Sequence, residues 1–167
     1  RLKQPMRGRD FVRAVAAARL EGQRLAYCSD IVGIGMDPSV EERCSAAAFG
    51  LADGGAQIES IDLDFSDGRK AFLHLRGIWM VTHMQKHMDR LAELGDNVRG
   101  NVEAGLNVTS EQVAWVHAVR GRMWAFFERF FERHDFLLTP SMAVPPFPVE
   151  QNFPERAGGR AMKPYVD

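Results

Sequence analysis

Ready-made chemistry is scarce in this sequence, and its absences narrow the reading before any motif is weighed. Cysteine occurs only twice, as Cys28 and Cys44, without C-x-x-C spacing. That excludes a disulfide scaffold and fits a reducing, cytoplasmic compartment. No apolar run approaches the ~18 residues of a membrane span and no signal-peptide pattern opens the chain, so no membrane association is expected. An excess of one charge is lacking too: 21 basic against 22 acidic residues leave a formal charge of −1. No bulk electrostatic attraction for nucleic acid follows from that balance. The dinucleotide fingerprint G-x-G-x-x-G, the phosphate loop G-x-x-x-x-G-K-[ST] and the G-x-S-x-G nucleophile elbow are all missing.

What is present suits a globular α/β chain. Of 167 residues, 46% are hydrophobic and 26% charged. Such a chain buries roughly 70% of the surface its unfolded form exposes, so no metal or disulfide is required for a core. The spacing of Phe11, Val12, Val15, Ala16 and Leu20 predicts a helix over 11–20, stopped at Gly22. Residues 24–29 form a short apolar run that reads as a buried strand, and the Gly33-Ile34-Gly35 loop follows it. Asp37-Pro38, with Glu41 and Glu42 in the next turn, is a strong helix start and predicts a helix over 38–52 ended by Asp53-Gly54-Gly55. Its stripe is Val40, Cys44, Ala47, Ala48 and Leu51. Ile61, Leu63 and Phe65 alternate with Asp62 and Asp64, which predicts a second strand and hence a βαβ unit.

Residues 67–94 read as helix interrupted only at Gly77, and a shorter helix is expected over 98–106. Thr109 and Gln112 form a capping box that opens a long helix reaching His134. A third strand is expected over 136–139, and the prolines from Pro140 to Pro154 then prevent regular structure.

Isolated candidates for chemistry are few, and each has a plain alternative. Gly33 and Gly35 resemble part of a phosphate loop but are flanked by Asp30 and Asp37. His83 and His87 are spaced to meet one metal ion on a helix face, but Met84 stands where a zincin carries its glutamate, and a solvated face is the reading adopted. Cys28 follows a strand, yet no histidine lies near it in sequence, so a buried thiol is expected. Met80, Met84 and Met88 beside Trp79, and the group Phe126, Phe127, Phe130 and Phe131, suit core packing or an association surface. Fold logic places a ligand site at the carboxyl end of the third strand, at Thr139-Pro140-Ser141.

Taken in order, Leu25-Ala26-Tyr27-Cys28-Ser29-Asp30, Met36-Asp37-Pro38-Ser39-Val40, Gly54-Gly55-Ala56-Gln57-Ile58-Glu59 and His134-Asp135-Phe136-Leu137-Leu138-Thr139-Pro140-Ser141 with its proline-rich sequel carry one pattern. The pattern resembles the C-terminal half of the amidase signature family, which includes bacterial amidases and the A subunit of glutamyl-tRNA(Gln) amidotransferase. The likeness runs from about Arg24 to Asp167. It implies a fragment of the amidase-signature fold: a mixed sheet with a βαβ unit covered by long helices. The expected division is a leading helix over 1–23, the βαβ unit, long helices and third strand over 24–139, and a loop tail over 140–167.

The same likeness implies amide C–N hydrolysis, or ammonia release by an amidotransferase, in a longer parent. Family enzymes use a serine nucleophile, a second serine on a cis peptide and a lysine base, all in a Gly- and Ser-rich segment upstream of the matched region. No serine or lysine here lies in such a segment, so no catalytic residue is carried over and the chain is expected to be silent by itself. Thr139, Pro140, Ser141, Met142 and Trp79 are implied as substrate-pocket residues, Ser141 standing where threonine is usual. A small amide is the implied substrate, and neither cofactor nor metal is implied. The start at Arg1 without a methionine, and the Tyr165-Val166-Asp167 end, suit an internal slice of a larger protein. The alternative is a non-enzymatic α/β module. In either case, apolar faces left uncovered favour a homo-oligomer.

Overall fold

A computed structural model of the chain describes residues 11–162, so the expected leading and trailing segments are only partly within it. Three short strands make a parallel sheet in the order β2-β1-β3, with β1 Arg24–Tyr27, β2 Gln57–Ser60 and β3 Phe136–Leu138. Arg24 faces Gln57 and Tyr27 faces Ser60, while Leu25 faces Phe136 on the other side. The expected α/β class with a βαβ unit therefore stands. The sheet expected to be mixed is parallel across its three strands, because each return to it is made through helices. Antiparallel pairing occurs separately, between β4 Arg156–Ala157 and β5 Arg160–Ala161.

The first helix, α1, is shorter than expected: it spans Phe11–Ala16, and Val12 and Val15 point to solvent. An apolar spacing without a surface to bury against does not extend a helix. The helix after β1, α2, runs Pro38–Gly50 and tightens into a 3₁₀ turn over Leu51–Gly54, with Gly55 left-handed at φ 89°. Of its expected stripe only Ala48 is buried. The second strand lies earlier than the alternating residues suggested. Pairing with four-residue β1 sets it at Gln57–Ser60, and the chain leaves the sheet at Ile61, whose amide donates to Tyr27 at 2.9 Å. Phe65 is drawn instead between Phe126 and Phe127, at ring separations of 5.1 and 5.3 Å.

Helices α3 Ser66–Met84, α4 Asp96–Leu106 and α5 Ser110–Phe130 form the helical half. A 3₁₀ stretch, Gln85–Glu93, ends the long segment earlier than its composition suggested. Ala71, Val116 and Val119 make the dry centre, with Leu75, Trp115 and Met123 around it. Gly77 does not interrupt α3. It is where α3 meets α4: a Cβ there would lie 2.8 Å from the Gly105 Cα, and one on Gly105 would collide with the Gly77 carbonyl. The capping box at the start of α5 forms as expected, Thr109 accepting from the Gln112 amide at 3.2 Å and Gln112 from the Thr109 amide at 2.8 Å. Phe130 is buried and its neighbour Phe131 is not.

Candidate functional site

Parallel α/β sheets gather ligands beyond the carboxyl ends of their strands, and three loops meet there in this molecule. Past β1, the Cys28 amide donates to the Leu138 carbonyl at 3.0 Å, and the thiol is buried. Asp30 then closes the loop on itself. Its carboxylate accepts from the amides of Gly33 at 2.8 Å, Ile34 at 3.2 Å and Gly35 at 2.7 Å. Gly33 and Gly35 allow this by adopting φ 68° and 88°. The amides that a phosphate would need are already held by an anion of the chain itself, so this G-x-G is not a phosphate cradle. The tip of the β4–β5 hairpin packs on the same loop, with a Cβ on Gly35 only 3.0 Å from the Ala157 carbonyl oxygen.

Asp37 joins this loop to the one after β3. Its amide donates to Ala143 at 2.8 Å, and its carboxylate caps α2 by accepting from the Ser39 amide at 2.9 Å and hydroxyl at 2.6 Å. The Ser39 hydroxyl, then its amide, hold this carboxyl below its ordinary value. The first turns of α2 and the proline-rich loop consequently enclose an apolar cleft of about 630 Å³. Val40, Arg43 and Cys44 line it from α2, and Ser141, Met142 and Phe147 from the loop. The Arg43 guanidinium, the Cys44 thiol and the hydroxyls of Ser39 and Ser141 are its polar side-chain groups; no histidine, lysine or carboxylate lines it. Such a wall can seat an apolar group beside one anionic or carbonyl end, and it assembles no nucleophile and base.

Ser141 and Met142 therefore share one cavity, Met142 being 63% exposed. Trp79 lines another, a groove of about 600 Å³ on α3 with Phe72, Leu75, Ile78 and Thr82. Thr139 is exposed and Pro140 half-buried, and they connect β3 to the loop without lining either cavity. Val40, Arg43 and Cys44 were not singled out as a site from sequence, although their spacing of three and four puts them on one helix face. Which way that face turns is decided by the bond from Asp37 to Ala143.

His83 and His87 are not on one continuous α-helix, because α3 ends at Met84. The His83 ring packs 4.2 Å from that of Trp79, and its Nδ1 lies 2.9 Å from the Trp79 carbonyl oxygen. Among the described residues no three His, Cys, Asp or Glu side chains are grouped to hold a metal, and no helix is long and apolar enough to cross a membrane.

At the opposite end of the sheet, Arg24 forks onto Asp135. Nη2 donates to Oδ1 at 3.0 Å and Nε to Oδ2 at 3.3 Å, while the Arg24 amide donates to Oδ2 at 2.8 Å. The guanidinium holds Asp135 below its ordinary range and is itself raised by the same bonds. Beside this pair, His134 stacks on Phe130 and pairs through Nε2 with Glu59. The aspartate in the sequence pattern thus fastens β3 to β1. On Tyr27, the last residue of β1, the hydroxyl is buried without a hydrogen-bond partner among the described residues. Burial raises its pKa first, with Cys44, Glu41 and Cys28 adding to it.

Over 93% of its length, this arrangement superposes on 35% of the crystal structure of a bacterial aryl acylamidase of the amidase signature enzymes, with a TM-score of 0.77 at 19% identity. The fold is that of an amidase signature enzyme. In sequence, the chain is 28% identical over 153 residues to an acylamidase of Rhodococcus erythropolis, aligning 86% of this chain with 31% of that protein. No protein-family model matches the chain. The chain spans about a third of the length of these relatives. Within that third, the amidase-signature resemblance read in the strands and the Thr-Pro loop holds across most of the chain.

Proposed function

We propose that this chain is one part of an amidase-signature hydrolase that cleaves the C–N bond of a small amide, and that it supplies wall and scaffold to a substrate pocket whose serines and lysine lie elsewhere. The observation that carries this reading is the superposition over 93% of the chain on an aryl acylamidase. Both relatives are acylamidases by name, which favours amide hydrolysis over ammonia release for a tRNA-linked transfer. Ser141 and Met142 are the pocket residues with the strongest geometric support, since the loop that carries them meets α2 in an apolar cleft. Thr139 and Pro140 connect that loop to β3, and Trp79, which lines a separate groove on α3, is retained as a pocket residue on the family resemblance alone. The two free thiols suit a cytoplasmic setting.

An aryl acyl amide offered to this chain alone is expected to give no turnover above buffer, and the same amide offered to the complete parent is expected to be hydrolysed. Hydrolysis by the chain alone that a serine reagent stops would overturn the silence. A parent inert toward both aryl and aliphatic amides would overturn the hydrolase reading. The second reading, a self-associating module without activity, is favoured by the exposure of Phe72, Trp79, Trp124 and Phe131. It predicts homo-oligomers by light scattering, and a clean monomer at high concentration removes it.

A further inference from the structure

We propose that the cleft between α2 and the proline-rich loop takes an apolar molecule ending in a carboxylate, anchored by the Arg43 guanidinium, and that the amide cleaved by the parent carries such an end. The second half rests on the hydrolase reading above; the first does not.

The cleft is an apolar wall with one charge. Val40 and Cys44 on α2 and Met142 and Phe147 on the loop supply the apolar lining, and Arg43 is the charged side chain among them. A volume of about 630 Å³ lies in the range of cavities that hold a small organic ligand. Arg43 is exposed, with no ion pair or hydrogen bond among the described residues. The sequence explains why. The residues three and four positions away on α2, which are the ones that could reach it, are Ser39, Val40, Ala46 and Ala47, all uncharged. Glu41 and Glu42 belong to the same helix but do not line the cleft.

The carboxylates nearby are engaged or turned elsewhere. That of Asp37 accepts from the Ser39 amide and hydroxyl, and Asp37 and Glu155 line a separate hollow against the same loop, together with Arg156. An anionic ligand at Arg43 therefore meets no like charge on the cleft wall. The guanidinium fork matches the two oxygens of a carboxylate, and the ligand's apolar body displaces the water that would compete for them. A neutral amide end forgoes the charge-assisted bonds, and a cationic end is repelled.

Calorimetric titration of the chain with phenylbutyrate tests the site, with phenylbutyramide and phenylbutylamine as its neutral and cationic counterparts. The carboxylate is expected to bind about tenfold more tightly than the amide, and the amine more weakly than either. Arg43→Gln should remove the advantage of the carboxylate without changing the affinity for the amide, whereas Arg43→Lys should keep part of it. Met142→Glu, which adds a carboxylate to the facing wall at an exposed position, should also remove it. Arg120→Gln, at an exposed position of α5 outside the cleft, should keep all of it. Equal affinities for carboxylate and amide, no binding of phenylbutyrate, or a preference that survives Arg43→Gln overturns the proposal. In the parent, the monoanilide of adipic acid should show a higher kcat/KM than the anilide of hexanoic acid, and Arg43→Gln should abolish the difference. A parent that hydrolyses both alike overturns the substrate half. A parent inert toward every amide overturns the hydrolase reading and leaves the titration standing, so the two failures are distinguishable.

Discussion

The two halves of this molecule are held by different forces. In the helical half, α3, α4 and α5 meet through shape: Gly77 against Gly105, and Ala71 with Val116 and Val119 in a dry centre. In the sheet half the strands are only three and four residues long, and carboxylates fasten them. Asp135 holds Arg24, Asp30 holds its own loop, and Asp37 holds the start of α2. Close packing tolerates no added atom, whereas a carboxylate pin tolerates change nearby but depends on its charge. The difference shows which perturbation each half resists.

The comparison breaks most sharply at Gly105. A methyl group there meets the Gly77 carbonyl first and a Val81 methyl beside it, so Gly105→Ala should lower stability by about 3 kcal/mol and part α3 from α4, read as a fall in the urea midpoint. If the midpoint holds, the packing account of the helical half is wrong. A smaller loss, about 1 kcal/mol, is expected for Thr109→Ala, which removes one side of the capping box of α5.

Acid should act on the other half, and by the smallest amount. The carboxyls of Asp37 and Asp135 titrate below their ordinary value of 3.8 in the folded chain. A depressed folded value contributes stability above the unfolded value and loses it as pH falls through the folded one. Amides around β1, β3 and the start of α2 should therefore gain exchange below about pH 4 before those at the α3–α4 contact. Asp64, lowered by the Ser66 amide at the entry of α3, and Glu93, lowered by Arg90 in the 3₁₀ stretch, are the depressed carboxyls on the helical side among the described residues. Simultaneous loosening of both halves would dissolve the distinction.

Local signals survived translation from sequence to fold, and long-range ones did not. Asp37-Pro38 and Thr109 with Gln112 each satisfy orphan amides within a few residues, so their helices begin where the sequence says. The alternation over 61–65 misled because strand position is decided by a partner, and four-residue β1 was used up by Ser60. Gly77 reads locally as a helix breaker and acts as a contact surface, which becomes visible only with Gly105 beside it. In the candidate site, fold logic and the family resemblance pointed to the loop after β3, where Ser141 and Met142 line the cleft and Thr139 and Pro140 do not. Neither pointed to the α2 residues that face it, because a backbone bond between Asp37 and Ala143 chooses which side of the helix turns inward.

The loop after β1 carries a temporal consequence. Asp30 reaches only three to five residues ahead for all its partners. Closing so short a span takes on the order of 10–100 ns, and it requires no other part of the chain to be in place. The Arg24–Asp135 pair, by contrast, must bring together residues 111 apart. The turn ahead of α2 can therefore be set before the sheet exists, whereas the bond from Asp37 to Ala143 that orients α2 forms only once the chain beyond β3 has arrived.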